Sequence, residues 1–193
     1  MKLLLFTFIF IVFVIDTDKK VLVGDKVWTT KNLSVTKFKN GDAIYEAKTA
    51  EDWELAKKDK KAAFCYYNND KLNEEKFGCL YNFYAVKDER GLAPEGWHIA
   101  TDEEWSDLIS FHGGKNLIAQ DSLVKDPINL KPGGFRTYDG SFSSINQSVL
   151  FWTSTTSNPF LSFNRQFFAG NLNPITKGTS HMAMGMYVRC VKD

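Results

Sequence analysis

The chain has 193 residues, of which 44% are hydrophobic and 15% aromatic. That apolar content can fill one sizeable core without metal or many crosslinks, and it excludes a chain disordered along its whole length. Its 24 basic and 23 acidic residues leave a net charge of +1, with no stripe of Lys and Arg of the kind that tracks phosphates, so no nucleic-acid partner is expected.

The first residues read as an export signal. Lys2 is followed by an apolar run from Leu3 to Ile15, broken only by Thr7. A membrane span needs about 20 apolar residues, whereas this run has the length of a signal h-region. No small-x-small pattern precedes Asp16, so an uncleaved anchor is the alternative, and membrane contact would come only through this segment. The expected organisation is a signal-like segment over 1–15 and a single domain over 16–193.

Next come two short strands, 21–23 and 26–29, joined by the hairpin signal Gly24-Asp25. Asn40-Gly41 marks a turn. The spacing predicts a helix over 49–58, with Thr49 as cap, Asp52 in the first turn, and Trp53 and Ala56 on one face. Lys57, Lys58, Lys60 and Lys61, interrupted by Asp59, read as a solvated helix end. A second helix begins with a capping box of Thr101 and Glu104. Trp105, Leu108, Ile109 and His112 follow at helical spacing, and Gly113-Gly114 supplies the stop.

From Gly133 onward short apolar runs separated by Gly, Pro and Asn predict strands over 149–156, 162–169 and 182–191. In the last, Met182, Met184, Met186, Val188 and Cys190 alternate with the residues between them, the pattern of a half-buried strand. Helices first and strands afterwards favour an α+β fold. Cys65, Cys79 and Cys190 are the only cysteines. After export they would form one disulfide and leave one thiol, with all three pairings open.

Several segments together carry a family resemblance. These are Cys65-Tyr66-Tyr67-Asn68-Asn69-Asp70, Leu80-Tyr81-Asn82-Phe83-Tyr84-Ala85-Val86, and Gly91-Leu92-Ala93-Pro94-Glu95-Gly96-Trp97-His98. Thr101-Asp102-Glu103-Glu104-Trp105, a glycine-rich turn Gly133-Gly134-Phe135-Arg136, Trp152-Thr153-Ser154-Thr155 and Val188-Arg189-Cys190-Val191-Lys192-Asp193 continue the series. In this order they resemble the Fibrobacter succinogenes major paralogous domain family over nearly all of the chain after residue 20. The resemblance implies a C-type-lectin-like fold with two helices and a small, mostly antiparallel, loop-rich sheet. It implies a bacterial source, and with the signal-like run from Lys2 to Ile15 the expected location is secreted, periplasmic or at the cell surface. It also implies a Cys65–Cys190 disulfide, although Ala93 stands where the family often has Cys, and Cys79 where it usually has another residue.

Candidate chemistry is sparse. His98, His112 and His181 do not form a zinc motif, and no metal site is expected. Asn68, Asn69 and Asp70 offer oxygen ligands to calcium, the one cofactor the residues admit, and they suit a polar turn equally. No nucleophile elbow or phosphate loop is present. Aromatic residues with amides and Arg are the better lead. Phe160, Phe163, Arg165, Phe167, Phe168, Asn171 and Asn173 form a candidate ligand-binding region, set against the alternative that half of them are core. The expectation is an exported or surface-associated binding or adhesion module, with a glycan or protein at the cell surface as partner. An enzyme related to the formylglycine-generating fold, motivated by Cys79, and a purely structural envelope protein are the alternatives.

Overall fold

The computed structural model describes residues 20–111, 128–169 and 175–193. The signal-like segment 1–15, His112, Gly113-Gly114, Asn171 and Asn173 lie outside the described residues.

The first hairpin pairs β1 (Lys20–Val23) with β2 (Lys26–Thr29) across Gly24-Asp25. β3 (Tyr45–Glu46) leads into α1 (Ala50–Lys58). Thr49 and Asp52 cap that helix reciprocally, each side chain accepting from the other's backbone N–H. After β4 (Ala63–Cys65), two short helices, α2 (Asn73–Phe77) and α3 (Phe83–Val86), flank β5 (Leu80–Tyr81). β6 (Trp97–Ile99) precedes α4 (Asp102–Phe111). There Glu104 N–H donates to Thr101 Oγ1 at 3.1 Å while Thr101 N–H donates to Glu104 Oε2 at 2.9 Å.

The remaining elements are strands: β7 (Gly133–Arg136), β8 (Phe142–Ile145), β9 (Ser148–Thr156), β10 (Leu161–Phe168), β11 (Ile175–His181), β12 (Tyr187–Val188) and β13 (Cys190–Lys192). They assemble into three sheets, in the orders β1-β2-β13-β6, β11-β10-β9-β7-β8 and β3-β4-β5. β9 is the spine of the largest. One of its edges pairs with β10, and the other is shared by β7 and the parallel β12.

This architecture corrects the expected α+β, C-type-lectin-like fold of two helices and a small sheet. Of the described residues 39% are strand and 20% helix, in four short helices and three sheets. Both capped helices are present, but α2 and α3 are too short to show a period in sequence, and β11 is a polar strand (Ile-Thr-Lys-Gly-Thr-Ser-His) with no apolar alternation. Two further local readings change. The glycine-rich segment at Gly133 is strand β7, because its glycines let Tyr187, Phe77 and Tyr67 pack against the backbone. The expected strand over 182–191 is broken into β12 and β13. Met182, Ala183, Met186, Tyr187 and Val188 are all buried, so the alternation does not sort residues into an inner and an outer face.

β9 explains why the core has two halves. Six consecutive residues, Ser148 to Thr153, are buried. Val149 and Phe151 face a cluster containing Trp28, Trp105 and Leu108, while Leu150 and Trp152 face one containing Tyr81, Phe83 and Met182. A strand covered on both faces reads as a continuous apolar run. Arg136 joins distant segments from inside. Its guanidinium donates to Gly140 O, Ala47 O and Thr49 O and lies 4.6 Å from the Trp53 ring centre and 4.7 Å from that of Phe142.

Candidate functional site

The described residues of the expected ligand-binding region, Phe160, Phe163, Arg165, Phe167 and Phe168, spread along β10 and do not share one surface. Phe160 precedes the strand and is 70% exposed, and Phe168 ends it at 38%. Eight residue steps separate them, about 26 Å at the rise of an extended strand. Between them, Phe167 is buried in the core, and Phe163 is half-buried under Lys177, whose Nζ lies 3.9 Å from the ring centre. Arg165 is buried and turned to α4. Its Nε donates to Asp102 Oδ1 at 3.0 Å, and its Nη2 to Asp102 O and Ser106 Oγ at 2.7 Å each. Arg165 therefore fastens the sheet to α4, Phe167 lies in the core cluster with Trp105 and Leu108, and Phe160 and Phe168 are the described members that stand in solvent.

At Phe160 the structure brings together residues that the sequence did not point to. Asn158 Oδ1 accepts from the N–H groups of Phe160 and Leu161 at 2.9 Å each, fixing a turn that carries the ring outward. Met182 N–H donates to Phe160 O, and His181 pairs with Leu161 in the β10–β11 ladder. The His181 ring lies 6.0 Å from that of Tyr138. Its Nδ1 accepts from Ala183 N–H, which leaves the proton of the neutral ring on Nε2. Tyr138 is 55% exposed, and Lys57 Nζ at the end of α1 lies 5.5 Å from its ring centre.

Tyr138 is presented by a stiff turn. Asp139 accepts from Ser141 Oγ, Thr137 Oγ1 and Ser141 N–H, and these bonds pull its carboxyl down to about 2. Arg136 ties the same turn to the interior through Gly140 O. The rim of Phe160, His181, Tyr138 and Lys57 thus draws on four parts of the chain, the turn before β10, β11, the 137–141 turn and α1, each held by its own hydrogen bonds. The sequence signal that would have found Tyr138 is the Asp139-Gly140 turn beside it. His181 offered none, because β11 is unmarked.

The other candidates have structural employment. Asn69 adopts positive φ in a tight turn, its Oδ1 accepts from Arg136 at 3.4 Å, and Asp70 Oδ1 accepts from Leu72 N–H. The oxygens considered for calcium are those of this turn. His98 lies between two carboxylates, Nδ1 at 2.7 Å from Asp193 and Nε2 at 2.9 Å from Glu104.

The expected Cys65–Cys190 disulfide is not formed. Cys65, Cys79 and Cys190 are free and buried, with Cys65 in one half of the core and Cys190 in the other. Burial pushes the Cys65 thiol up to about 11 and those of Cys79 and Cys190 up to about 12. Such thiols are poor nucleophiles, and Cys79, which motivated the enzyme alternative, is one of them. Among the described residues no helix is long and apolar enough to cross a membrane.

Among the described residues, three sheets, four short helices and three buried free thiols define a compact β-rich domain. The particular family follows from comparison: the model of the Fibrobacter succinogenes major domain matches residues 21–192, and the chain belongs to that family. No curated protein and no solved structure matches it.

Proposed function

We propose that this protein is an exported, surface-associated binding module that engages a saccharide through the rim of Phe160, Tyr138, His181 and Lys57. The observation that carries this reading is Tyr138, 55% exposed on a rigid turn and 6.0 Å from His181. Exposed rings held at fixed positions offer flat apolar faces to the C–H side of a sugar ring, while Lys57 and His181 Nε2 supply polar contacts at its edge. Because the turns are already ordered, little entropy is lost on binding. The charged-then-apolar run from Lys2 to Ile15 supports export.

The test is a glycan array probed with the wild type and with the Tyr138→Ala and Phe160→Ala variants. Both positions are solvent-facing, so the variants fold. The expected outcome is a defined set of glycans bound by the wild type, with affinity reduced about tenfold in each variant, the loss of one aromatic contact. Glycan binding by the wild type that both variants retain in full, or no glycan bound at all, would overturn the reading.

A further inference from the structure

A groove of about 590 Å³ opens beside α2, away from the aromatic rim, and Arg189 forms part of its wall. Arg189 is buried, with 1% of its surface exposed. Its Nε donates to Asn32 Oδ1 at 2.6 Å, Nη1 to Thr29 O at 2.8 Å and Nη2 to Asn129 O at 3.1 Å. All three acceptors are neutral. A guanidinium has five N–H donors, so one on each terminal nitrogen has no acceptor among the described residues. Asn32 is itself held, its Nδ2 donating to Phe77 O at 2.7 Å. Burial pulls the Arg189 guanidinium down to about 9, the direction expected of a cation without a counter-charge.

Arg136 shows what a purely structural arginine looks like in the same protein. It donates to three backbone carbonyls and to Asn69 Oδ1, and two aromatic rings lie within 5 Å of it. Arg189 has one ring beside it among the described residues, Phe151, with its centre 5.6 Å away, and it also lines the groove. Lys71, Lys76 and Lys131 add positive charge to the groove wall, against the carboxylates of Glu74 and Glu75. Glu74 is engaged by Ser34, whose Oγ donates to it at 2.7 Å. The volume lies in the range of small-ligand sites.

We propose that this groove binds an anionic oxygen group, a carboxylate or phosphate carried by a small soluble ligand, on the free in-plane N–H donors of Arg189 Nη1 and Nη2. A planar guanidinium pre-set by three hydrogen bonds suits a two-oxygen anion, and the lysines at the wall draw it in over a range set by salt. The site is separate from the saccharide rim and does not depend on it.

The test is a chemical-shift titration of the isotope-labelled protein with three probes: a disaccharide containing glucuronate, inorganic phosphate, and a neutral disaccharide. At least one anionic probe is expected to shift the Asn32 side-chain amide and the Arg189 Nε–H saturably, and which of them does so identifies the source of the anion. The Lys71→Glu/Lys131→Glu double variant, altered only at the groove wall, should weaken that binding at least about tenfold, and added salt should weaken it in the wild type. The Tyr138→Ala variant should bind the anion as the wild type does, which separates this site from the rim. The proposal falls if neither anion shifts these signals, if the neutral sugar shifts them equally, or if the double variant binds unchanged.

Discussion

Arg165 and Asp102 link the large sheet to α4, with Nη2 of the arginine 2.7 Å from the aspartate Oδ1. Both side chains are largely buried, and Lys177 Nζ lies 2.7 Å from the other aspartate oxygen, Oδ2. Removing Arg165 takes away its bonds to Asp102 Oδ1, Asp102 O and Ser106 Oγ and leaves the half-exposed Lys177 as the cation beside a largely buried carboxylate. Arg165→Leu should therefore lower unfolding free energy by about 3 kcal/mol. Lys177→Ala, which removes a side chain 47% exposed, should cost less than about 1 kcal/mol. Urea denaturation of the two variants checks the ranking, and equal effects would contradict it.

His98 should make stability depend on pH in a defined direction. Burial opposes its charged form, but the hydrogen bonds to Asp193 and Glu104 outweigh that and raise its pKa above 6.5. The stabilisation from this raised value is complete below the unfolded-state pKa and is lost as pH rises through the folded-state value. Glu104 behaves oppositely. Burial raises its pKa, yet the Thr101 N–H and His98 hold it below the ordinary value, so its contribution is lost as pH falls through that lowered range. The stability advantage of the wild type over His98→Gln should thus be larger near about pH 5.5 than near about pH 9. Thermal melts at both values measure it, and a pH-independent difference would refute the arrangement.

The parts of the fold legible in sequence are those set by neighbours in the chain. Thr49 with Asp52 and Thr101 with Glu104 announced two helix starts because a capping box closes within four residues. Gly24-Asp25 likewise announced its hairpin. What was hidden depends on partners far away. Arg136 and Arg189 look like surface residues until Ala47, Thr49, Thr29 and Asn32 come to meet them. Tyr138 and His181 face each other across 43 positions of sequence, and no local pattern predicts that contact. Phe160 was the one member of the rim that composition alone picked out. Arg165 and Phe167, chosen on the same grounds, went to the interior.

Gly134 should tolerate no side chain. Its φ is +71°, and a Cβ placed there would lie 2.4 Å from Ser143 O and 2.6 Å from the Tyr67 ring. Both the backbone conformation and the space demand glycine. Gly41, with φ of +92° and nothing within 4 Å, has only the first constraint. Gly41→Ala should cost about 1 kcal/mol. Gly134→Ala should exceed about 3 kcal/mol or prevent folding, because strand β8 would have to move. Comparing soluble yield and melting temperature of the two proteins decides it.

The three thiols should be silent in the folded state. Cys65, Cys79 and Cys190 are each at most 1% exposed, and burial keeps them protonated near neutral pH. A maleimide added to native protein is expected to leave the mass unchanged within the time that labels denatured protein at all three positions. Rapid single labelling without denaturant would show that one thiol is open to solvent.

Strand β13 lies between β2 and β6, with Val191 paired to both Trp28 and His98. A nascent chain emerging from the ribosome would therefore display the β1–β2 hairpin with a bare flank through the synthesis of about 160 further residues, until the strand that seals it appears. Closing so long a loop is slow. During translation, then, the vulnerable stretch is the one made first, and helpers that shield naked strand edges would act there.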